Sequence, residues 1–442
     1  MKAEYACNSN EHRMERRRFL GVAAGATIAA GAGVAAGTGV AGMAMGVNAF
    51  SSPLLGNHLA QAGKRVIVFN MSGGLSQLES WDPKPGTKTG GPFRAIPTSV
   101  TGIHVSELLP MTARQMHHLC LVRGVNTSEN DHGKGRYMMF HGRKQMPGGN
   151  YPALGAVAAK ALSNLENPLP GHVLITNGGG GGRNNDSAYL GPRFASISLG
   201  NGKPPQNTTR PKNVTENADR DRQEFRRKIN QKFLSRRRSA MTEAFTYSYE
   251  QALQMMEKRD VFDLSKEPAG DLERYGKHDL GQHCVLARRM LEKGISYVQV
   301  SHSNYDTHNE NFNFHIEQLG EFDQAFSNLV NDLAERGMLE STLIVVLSEF
   351  GRTPRINQYY GRDHWGKSWS ICLGGGSVAR GHAYGQTNAE GTEVTDGQVD
   401  HADLFHTYLQ AVDVDSTDSF DIDGRQLPIA DPAAEPVHEI LT

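Results

Sequence analysis

The sequence predicts an α/β fold with a mostly parallel central sheet. Two short apolar runs, residues 66–69 and 343–347, are rich in β-branched side chains and contain no polar residue. Such runs are typical of strands that are buried on both faces of a parallel sheet. They alternate with amphipathic helical segments, the clearest of which are residues 280–294 and 312–336. Strands and helices that alternate in this way indicate βαβ units.

The overall composition places few limits on the domain count. The chain has 442 residues, enough for two or three average domains, although α/β enzymes of this length are often built around one sheet. Its 46 basic and 47 acidic residues give a net charge of −1. This balance offers no electrostatic reason to expect nucleic acid or an anionic membrane as a partner. We therefore expect neither a nucleic-acid partner nor membrane association of the mature chain.

Residues 1–62 are predicted to be an export leader. Arg16-Arg17-Arg18-Phe19-Leu20 fits the twin-arginine pattern, in which two arginines and one further residue precede two apolar residues. Residues 21–47 form a weakly hydrophobic tract that is long enough to span a bilayer, so a membrane anchor is the alternative. Its Ala and Gly content favours a signal that is cleaved between about residues 44 and 62. We expect a periplasmic or extracellular protein whose mature domain occupies residues 63–442.

The mature chain opens with a predicted strand at residues 64–70, which places Asn70 at the strand's carboxyl end. The turn that follows, Met71-Ser72-Gly73-Gly74, lacks the G-x-G-x-x-G pattern, so a dinucleotide-binding fold is not favoured. A loop is predicted at 81–97. The later elements are predicted as helices at 108–118, 280–294, 312–336 and 401–412, and as strands at 119–122, 173–176, 295–300, 343–347 and 370–373.

Residues 203–268 differ from the rest and are predicted to be a helical insertion or cap. They are polar, they include Arg236-Arg237-Arg238, and their sparse apolar residues Phe225, Ile229 and Phe233 are spaced four apart. That spacing is typical of an amphipathic helix. The arginines could guide an anionic substrate or could form a solvated face.

The cysteines indicate a protein that does not depend on disulfides. Cys7 lies in the leader, and the remaining Cys120, Cys284 and Cys372 are widely spaced and odd in number. Each lies in an apolar segment, so we expect buried, unpaired thiols.

A glycine-rich turn at residues 130–136 is predicted to bind an anion. It carries His132, Lys134 and Arg136 just before a helix expected to begin near Tyr137. The free N–H groups at a helix start and two nearby cations all favour negative charge. The alternative is a solvated basic turn.

Candidate metal ligands follow several of the predicted strands. Carboxyl ends of parallel strands meet at one edge of a sheet, so these residues are expected to converge although they are distant in sequence. Carboxylate and imidazole groups are common metal ligands. The candidates are Asn70, Asp306, His308, Glu349, Asp363 and His364.

Seven sequence features together resemble a large uncharacterised bacterial family of exported, sulfatase-like proteins. They cover nearly all of the mature chain. They are the twin-arginine leader, Met71-Ser72-Gly73-Gly74, Asp82-Pro83-Lys84-Pro85, Glu107-Leu108-Leu109-Pro110, Tyr305-Asp306-Thr307-His308, Ser348-Glu349-Phe350-Gly351-Arg352-Thr353-Pro354 and Gly361-Arg362-Asp363-His364-Trp365. The resemblance implies the alkaline phosphatase superfamily, with a three-layer α/β sandwich and metals at the carboxyl edge of the sheet.

The resemblance also assigns roles to individual residues. Asn70 stands where the superfamily usually has Asp, and Glu349-Phe350 stands where it usually has Asp-His. Matched to the sulfatase C-x-P-x-R motif, Arg136 takes the place of the Arg and His132 that of the nucleophilic Cys. No Cys or Ser here precedes x-Pro-x-Arg, so a formylglycine mechanism is not expected. His132 could attack phosphorus, bind metal or mark a site that no longer reacts.

Two functions remain open from the sequence. The first is a metal-dependent hydrolase of phosphate or sulfate esters, in which His132, Lys134 and Arg136 face a small anionic substrate. The mixed nitrogen and oxygen donors favour zinc or manganese over calcium. The alternative is a catalytically inactive, exported binding or assembly protein that retains the scaffold.

Overall fold

The structure is a computed structural model that describes residues 63–164, 167, 169–178, 184–203, 210–234 and 240–442. The predicted leader at 1–62 lies outside the described residues. So do parts of the predicted insertion at 203–268.

The strands of the described residues include eight that form the central sheet and several that form short hairpins. They are β1 (Arg65–Met71), β2 (Ala95–Pro97), β3 (His104–Ser106), β4 (Leu119–Val125), β5 (His172–Thr176), β6 (Ile197–Gly200), β7 (Tyr297–His302), β8 (Thr342–Leu347), β9 (Gly351–Arg352), β10 (His364–Trp365), β11 (Trp369–Gly374), β12 (His382–Tyr384), β13 (Gln386–Thr387), β14 (Val394–Asp396), β15 (Ser419–Ile422) and β16 (Arg425–Pro428).

The central sheet has the strand order β12-β4-β11-β8-β1-β7-β5-β6. Its neighbouring strands pair in parallel, apart from β11, which is antiparallel to both β4 and β8. This confirms the predicted α/β fold with a mostly parallel sheet.

Strand β8 is buried on both faces, as its composition predicts. All six of its side chains are buried. Ile344 and Val346 belong to the apolar cluster on one face of the sheet, and Leu343 and Val345 belong to the cluster on the other. The uninterrupted apolar sequence is therefore required by helices that cover both faces.

Helices cover the sheet on both sides. Those of the described residues are α1 (Pro110–Arg114), α2 (His132–His141), α3 (Leu154–Leu162), α4 (Glu216–Leu234), α5 (Ala240–Glu257), α6 (Ala269–Tyr275), α7 (Asp279–Glu292), α8 (Asn311–Glu335) and α9 (His401–Gln410). Buried residues of α7 and α8 pack on one face, and those of α2, α3 and α9 pack on the other. None of these helices is long and apolar enough to cross a lipid bilayer.

Several helices differ from the sequence prediction: α1 is shorter than the predicted 108–118, and α6 was not predicted. Helix α2 begins at His132, whereas a turn was predicted through Arg136. Helix α3 was not predicted, because all of its residues except Lys160 are buried and no apolar period stands out. A helix buried on every side lacks the amphipathic signal.

Strands β7 and β8 lie on either side of β1 and are parallel to it. Helix α8 connects them, so this crossover passes over one strand. The carboxyl ends of these three central strands therefore meet at the same edge of the sheet.

The cysteines behave as predicted. Cys120, Cys284 and Cys372 are buried and unpaired. Burial raises the pKa of the Cys120 thiol to about 12. These thiols pack as small apolar side chains.

Candidate metal centre

Helix α2 places His132 and Arg136 on one face. Asp131 caps the helix, because its carboxylate accepts a hydrogen bond of 2.9 Å from the Lys134 amide. His132 and Arg136 are then one turn apart and point the same way, whereas Lys134 projects from another side. The Lys134 side chain lines a separate cavity together with Glu129 and Met138.

The loop after β7 brings in Asp306 and His308. It lies against the turn that follows β1, where Tyr305 donates an amide hydrogen bond of 3.3 Å to the Ser72 carbonyl. Gly73 has a φ of +117°, and a Cβ there would lie only 2.4 Å from the Asp306 amide nitrogen. The glycine therefore allows the two loops to approach each other this closely.

The segment that follows β8 contacts both the turn after β1 and helix α2. Ser348 Oγ lies 2.6 Å from the Met71 carbonyl oxygen, to which it donates, and accepts from the Gly74 amide at 3.1 Å. Glu349 is buried and accepts from the Gly73 amide at 3.0 Å. The same carboxylate oxygen lies 2.7 Å from His132 Nδ1.

His364 reaches the site through the β9–β10 hairpin. Its Nδ1 lies 2.7 Å from the Asn130 backbone carbonyl oxygen. Because a carbonyl oxygen can only accept, His364 Nδ1 carries the proton. The Asn130 side chain also accepts from the Gly366 amide at 2.8 Å, so the strand and the loop before α2 hold each other.

Three histidines surround the carboxylate of Asp306. His132 Nε2 lies 3.3 Å from Oδ2, while His308 Nε2 and His364 Nε2 lie 3.2 and 3.1 Å from Oδ1. The two histidines that share Oδ1 are also close to each other, with 2.9 Å between their Nε2 atoms. One potential ligand atom each from His132, Asp306 and His364 lies within 4.8 Å of the others.

Each histidine is held by an acceptor on its far side. His132 Nδ1 faces Glu349, His364 Nδ1 faces the Asn130 carbonyl, and His308 Nδ1 lies 2.8 Å from Asp363 Oδ1. A ring that donates through Nδ1 presents the Nε2 lone pair when it is neutral. This is the arrangement in which proteins hold histidines for metal binding.

Arg352 fixes the ionised form of Asp306. Its guanidinium is fully buried and donates to Asp306 Oδ1 at 2.6 Å and to the carbonyls of Gly73, Gly74 and Arg362. Burial by itself would raise the pKa of Asp306, but the hydrogen bond and the positive charge of Arg352, with the neighbouring histidines, outweigh it and hold the pKa at about 2. Asp306 is therefore a carboxylate at neutral pH.

The donor set and its charge fit a divalent cation. Two imidazole nitrogens and a carboxylate, from His132, His364 and Asp306, lie close enough to one another to share an ion, and His308 Nε2 lies beside that of His364. Such groups are ligands suited to first-row transition metals. The three carboxylates of Asp306, Glu349 and Asp363 outnumber the two neighbouring guanidiniums of Arg136 and Arg352, so the cluster is net negative when its histidines are neutral. The described residues thus contain a candidate His/Asp metal site.

The structure brings most of the sequence-predicted residues together. Some lie at the centre of the cluster, and others lie at its outside. His132, Asp306, His308 and His364 form its centre. Glu349 and Asp363 contact the outer nitrogens of two of these histidines. Asn70 is buried near the carboxyl end of β1, on the sheet face that α2 covers.

Arg136 lies at the margin of the cluster. Its Nη2 donates to Ser72 Oγ at 3.2 Å and lies 3.9 Å from Glu349 Oε1, and its side chain is 51% exposed. The guanidinium is therefore held beside the histidines while part of it stays open to solvent.

Several residues of the site had no role assigned from the sequence. Arg352 orients Asp306, and Phe350 packs its buried ring against His132 and His364, with ring centroids 4.8 and 4.5 Å away. Arg362 and Glu79 form a buried ion pair behind the site. The sequence signal for the two arginines is that they lie in the same two motifs as the predicted ligands Glu349 and Asp363.

We expect Gly361→Ala to disturb the cluster. A Cβ at Gly361 would lie 1.9 Å from the His308 carbonyl oxygen, so the loop that carries His308 would have to move. Overpacking of this kind lowers the free energy of unfolding by about 1–3 kcal/mol. Thermal unfolding and metal affinity, measured on the same variant, should both decrease.

Gly320→Ala is the matched control. Gly320 lies inside α8, where a Cβ would meet nothing within 4 Å. Alanine in a helix interior should raise stability by about 0.5–1 kcal/mol. If Gly361→Ala left both stability and metal affinity unchanged, the close packing around His308 would be wrong.

Comparison with known proteins gives one family and several similar folds. Residues 63–441 match the family described as "Protein of unknown function (DUF1501)". No curated protein sequence matches. The chain is similar to the PsFucS1 sulfatase from Pseudoalteromonas sp., with 13% identity, a TM-score of 0.37, and coverage of 81% of this chain and 70% of that one. It is also similar to the lipoteichoic acid synthase LtaP from Listeria monocytogenes (8% identity, TM-score 0.38, 84% and 76% covered) and to alkaline phosphatase from the Antarctic bacterium TAB5 (13%, 0.33, 79% and 98%).

Proposed function

The chain belongs to the family of unknown function DUF1501, and we propose that it is a metal-dependent hydrolase of phosphate or sulfate esters. The observation that carries the proposal is the 2.9 Å contact between His308 Nε2 and His364 Nε2. Both rings are directed to donate through Nδ1, so two lone pairs would face each other if both rings were neutral. A proton or a cation between them removes that repulsion, and the nearby Asp306 carboxylate favours a cation.

The ligands we propose are His132, Asp306, His308 and His364. Their nitrogen and oxygen donors suit zinc or manganese better than calcium, which prefers oxygen ligands alone. Glu349 and Asp363 then hold His132 and His308 in the correct tautomer and orientation. A divalent ion bound there supplies Lewis-acid polarisation of an ester oxygen and activation of a water molecule.

This arrangement gives His132 the role of a ligand and not that of a nucleophile. Its Nδ1 faces the buried Glu349 and its Nε2 points at Asp306 Oδ2, so both ring nitrogens are already engaged within the cluster. Phe350 packs its ring against the rings of both His132 and His364.

Arg136 is the residue that we propose binds the anionic group of the substrate. Its guanidinium is half exposed, lies next to the cluster and is anchored to Ser72. A guanidinium presents several N–H donors in a plane, which suits the oxygens of a phosphate or sulfate.

We expect Arg136→Ala to lower kcat/KM for aryl phosphates or aryl sulfates by about a hundredfold, as loss of one oxyanion donor does in other enzymes. Metal content should not change, because Arg136 is not a ligand. The measurement is a screen of 4-nitrophenyl phosphate and 4-nitrophenyl sulfate with zinc or manganese added.

Lys134→Ala provides the comparison on the same helix. Its side chain projects from another face of α2, so activity should remain near that of the wild type. Equal losses in the two variants would mean that the substrate approaches from the Lys134 side, and the proposed role of Arg136 would be wrong.

We also propose that the protein acts outside the cytoplasmic membrane after twin-arginine export. The support is the motif Arg16-Arg17-Arg18-Phe19-Leu20 at the start of the chain. Its substrate would accordingly be a small anionic ester of the periplasm or the cell exterior.

A further inference from the structure

Ser72 is the one partly exposed residue in a long buried segment. Every other residue from 66 to 82 is buried. The backbone around Ser72 is held on both sides, because its own amide donates to the His302 carbonyl at 2.8 Å and the Gly73 amide donates to Glu349 at 3.0 Å. Ser72 follows β1 directly, so its hydroxyl lies at the edge of the sheet where the metal cluster is found.

The Ser72 hydroxyl contacts the group that we propose binds the substrate anion. Ser72 Oγ accepts a hydrogen bond of 3.2 Å from Arg136 Nη2. The same nitrogen lies 3.9 Å from Glu349 Oε1, which in turn lies 2.7 Å from His132 Nδ1. A guanidinium has five N–H donors, and the contact with Ser72 uses one of them. An oxyanion bound by the remaining donors of Arg136 would therefore lie beside the Ser72 hydroxyl.

The neighbouring hydroxyl groups are already engaged. Those of Thr307, Ser348 and Thr353 each donate to an acceptor within the protein. The cysteine thiols of the described residues are buried. Within the described part of the chain, Ser72 Oγ accepts from Arg136 and donates to no protein group. Its proton and its second lone pair are therefore available to a bound ester.

We propose that Ser72 is the nucleophile of the ester hydrolysis, an assignment that rests on the proposed function. The sequence resemblance places the nucleophile at His132, but both ring nitrogens of that residue are engaged in the cluster. In the first step, Ser72 Oγ attacks the phosphorus or sulfur of an ester whose oxyanion is bound by Arg136. The bond from that atom to the alcohol oxygen breaks, and the serine proton ends on the departing alcohol.

A covalent phosphate or sulfate ester of Ser72 remains after the first step. Water then attacks the same phosphorus or sulfur, which restores the serine hydroxyl and releases inorganic phosphate or sulfate. Arg136 assists because it donates both to Oγ, where negative charge develops, and to the bound oxyanion. Contact of one guanidinium with both partners also favours the approach of about 3–3.5 Å that such an attack requires. The covalent intermediate divides one difficult step into two easier ones.

The test is the intact mass of the full chain, incubated with zinc or manganese and quenched in acid during turnover of 4-nitrophenyl phosphate or 4-nitrophenyl sulfate. We expect a species heavier by one phosphoryl or sulfuryl group, which peptide mapping should locate at Ser72. The species should be absent from Ser72→Ala. Metal content should be the same in both proteins, because Ser72 is not a proposed ligand.

A second measurement detects an intermediate that is too short-lived to trap. With glycerol added as a competing acceptor, the ratio of phosphorylated glycerol to free phosphate should be the same for phenyl phosphate and 4-nitrophenyl phosphate. The ratio is constant because both esters pass through the same covalent enzyme.

Ser72→Ala should also lower kcat/KM by about a thousandfold or more, as loss of a nucleophile does in other enzymes. Ser303→Ala is the matched control, because Ser303 is a partly exposed serine that follows β7 at the same edge of the sheet. That variant should form the covalent species and turn over at the wild-type rate. Thermal unfolding of both variants should be unchanged.

Two results would overturn this assignment and leave the proposed function intact. One is hydrolysis by the wild type with neither a covalent species nor a constant ratio of products, and the other is turnover by Ser72→Ala at the wild-type rate. In either case water would attack the ester directly. Absence of both hydrolysis and the covalent species from the wild type would contradict the proposed function as well.

Discussion

Asp306→Asn is expected to abolish ester hydrolysis, with kcat/KM reduced by about a thousandfold or more. The carboxylate lies among three histidine Nε2 atoms and is the only proposed oxygen ligand of the cluster among the described residues. Its loss should remove the metal, and metal assistance is worth several kcal/mol, or about tenfold in rate for each 1.4 kcal/mol. The measurement is kcat/KM for the better ester of the screen at saturating metal.

Asp363→Asn should have a smaller effect. Asp363 accepts from His308 Nδ1 at 2.8 Å and is proposed to orient that ligand without binding the ion. Removal of such an outer partner typically costs about 10- to 100-fold in metal affinity or activity. An effect as large as that of Asp306→Asn would show that Asp363 is itself a ligand.

Asp413→Asn is the control for a change of acid to amide. Asp413 is half exposed and binds Lys64, just before β1 and so at the other end of the strands. Activity and metal content should stay at the wild-type level. Full activity in Asp306→Asn would contradict the proposed mechanism.

Glu79→Gln is expected to lower the free energy of unfolding by about 3–5 kcal/mol, because it leaves a buried guanidinium without its counter-ion. Glu79 and Arg362 are both fully buried, and their oxygens and nitrogens lie 2.7 and 3.0 Å apart in a bidentate pair. Arg362 also donates to the Thr89 carbonyl at 2.7 Å, so the pair joins two loops behind the site.

The effect of Glu79→Gln should depend on pH. Burial alone would raise the pKa of Glu79, but Arg362 and His315 hold it below its usual value of 4.5. A group with a depressed folded-state pKa stabilises the fold fully above its unfolded pKa and loses that contribution as pH falls through the folded value. The gap between wild type and variant should therefore narrow in acid, as measured by denaturant unfolding.

Glu107→Gln removes an exposed ion pair for comparison. Arg94 binds Glu107 at 2.9 Å with side chains 84% and 25% exposed. Such pairs contribute about 1 kcal/mol or less. A similar, small loss in both variants would contradict a structural role for the Glu79–Arg362 pair.

The sheet was predictable because its signal is local. The buried runs 66–69 and 343–347, which lie in β1 and β8, contain only apolar residues. A parallel sheet places the carboxyl ends of these strands at the same edge. The sequence therefore indicated which residues would meet at the edge.

The start of α2 was not predictable in the same way. Gly133 and Gly135 weaken the helical signal, so a turn was expected through Arg136. A Cβ at Gly135 would lie 2.7 Å from the Glu349 carbonyl oxygen, which explains the glycine through a contact with a residue distant in sequence. Helix propensity is a local property of the sequence and does not include such a tertiary contact.

The sequence also could not show which residues are proposed to bind the metal and which only orient those ligands, because this depends on atomic positions that sequence spacing does not give. Glu349 and Asp363 are spaced like ligands, yet each faces the Nδ1 of a histidine. Arg352 reaches Asp306 only because the segment after β8 folds back over the first turn.

The most direct test of the metal centre is elemental analysis of the folded protein, wild type and Asp306→Asn, after incubation with zinc or manganese and removal of free ion. The proposed ligand set predicts stoichiometric metal in the wild type and little in the variant. Equal amounts of metal in both proteins would contradict the proposed ligand set. Absence of bound metal from the wild type under all conditions would also contradict it, and would favour a catalytically inactive binding or assembly protein.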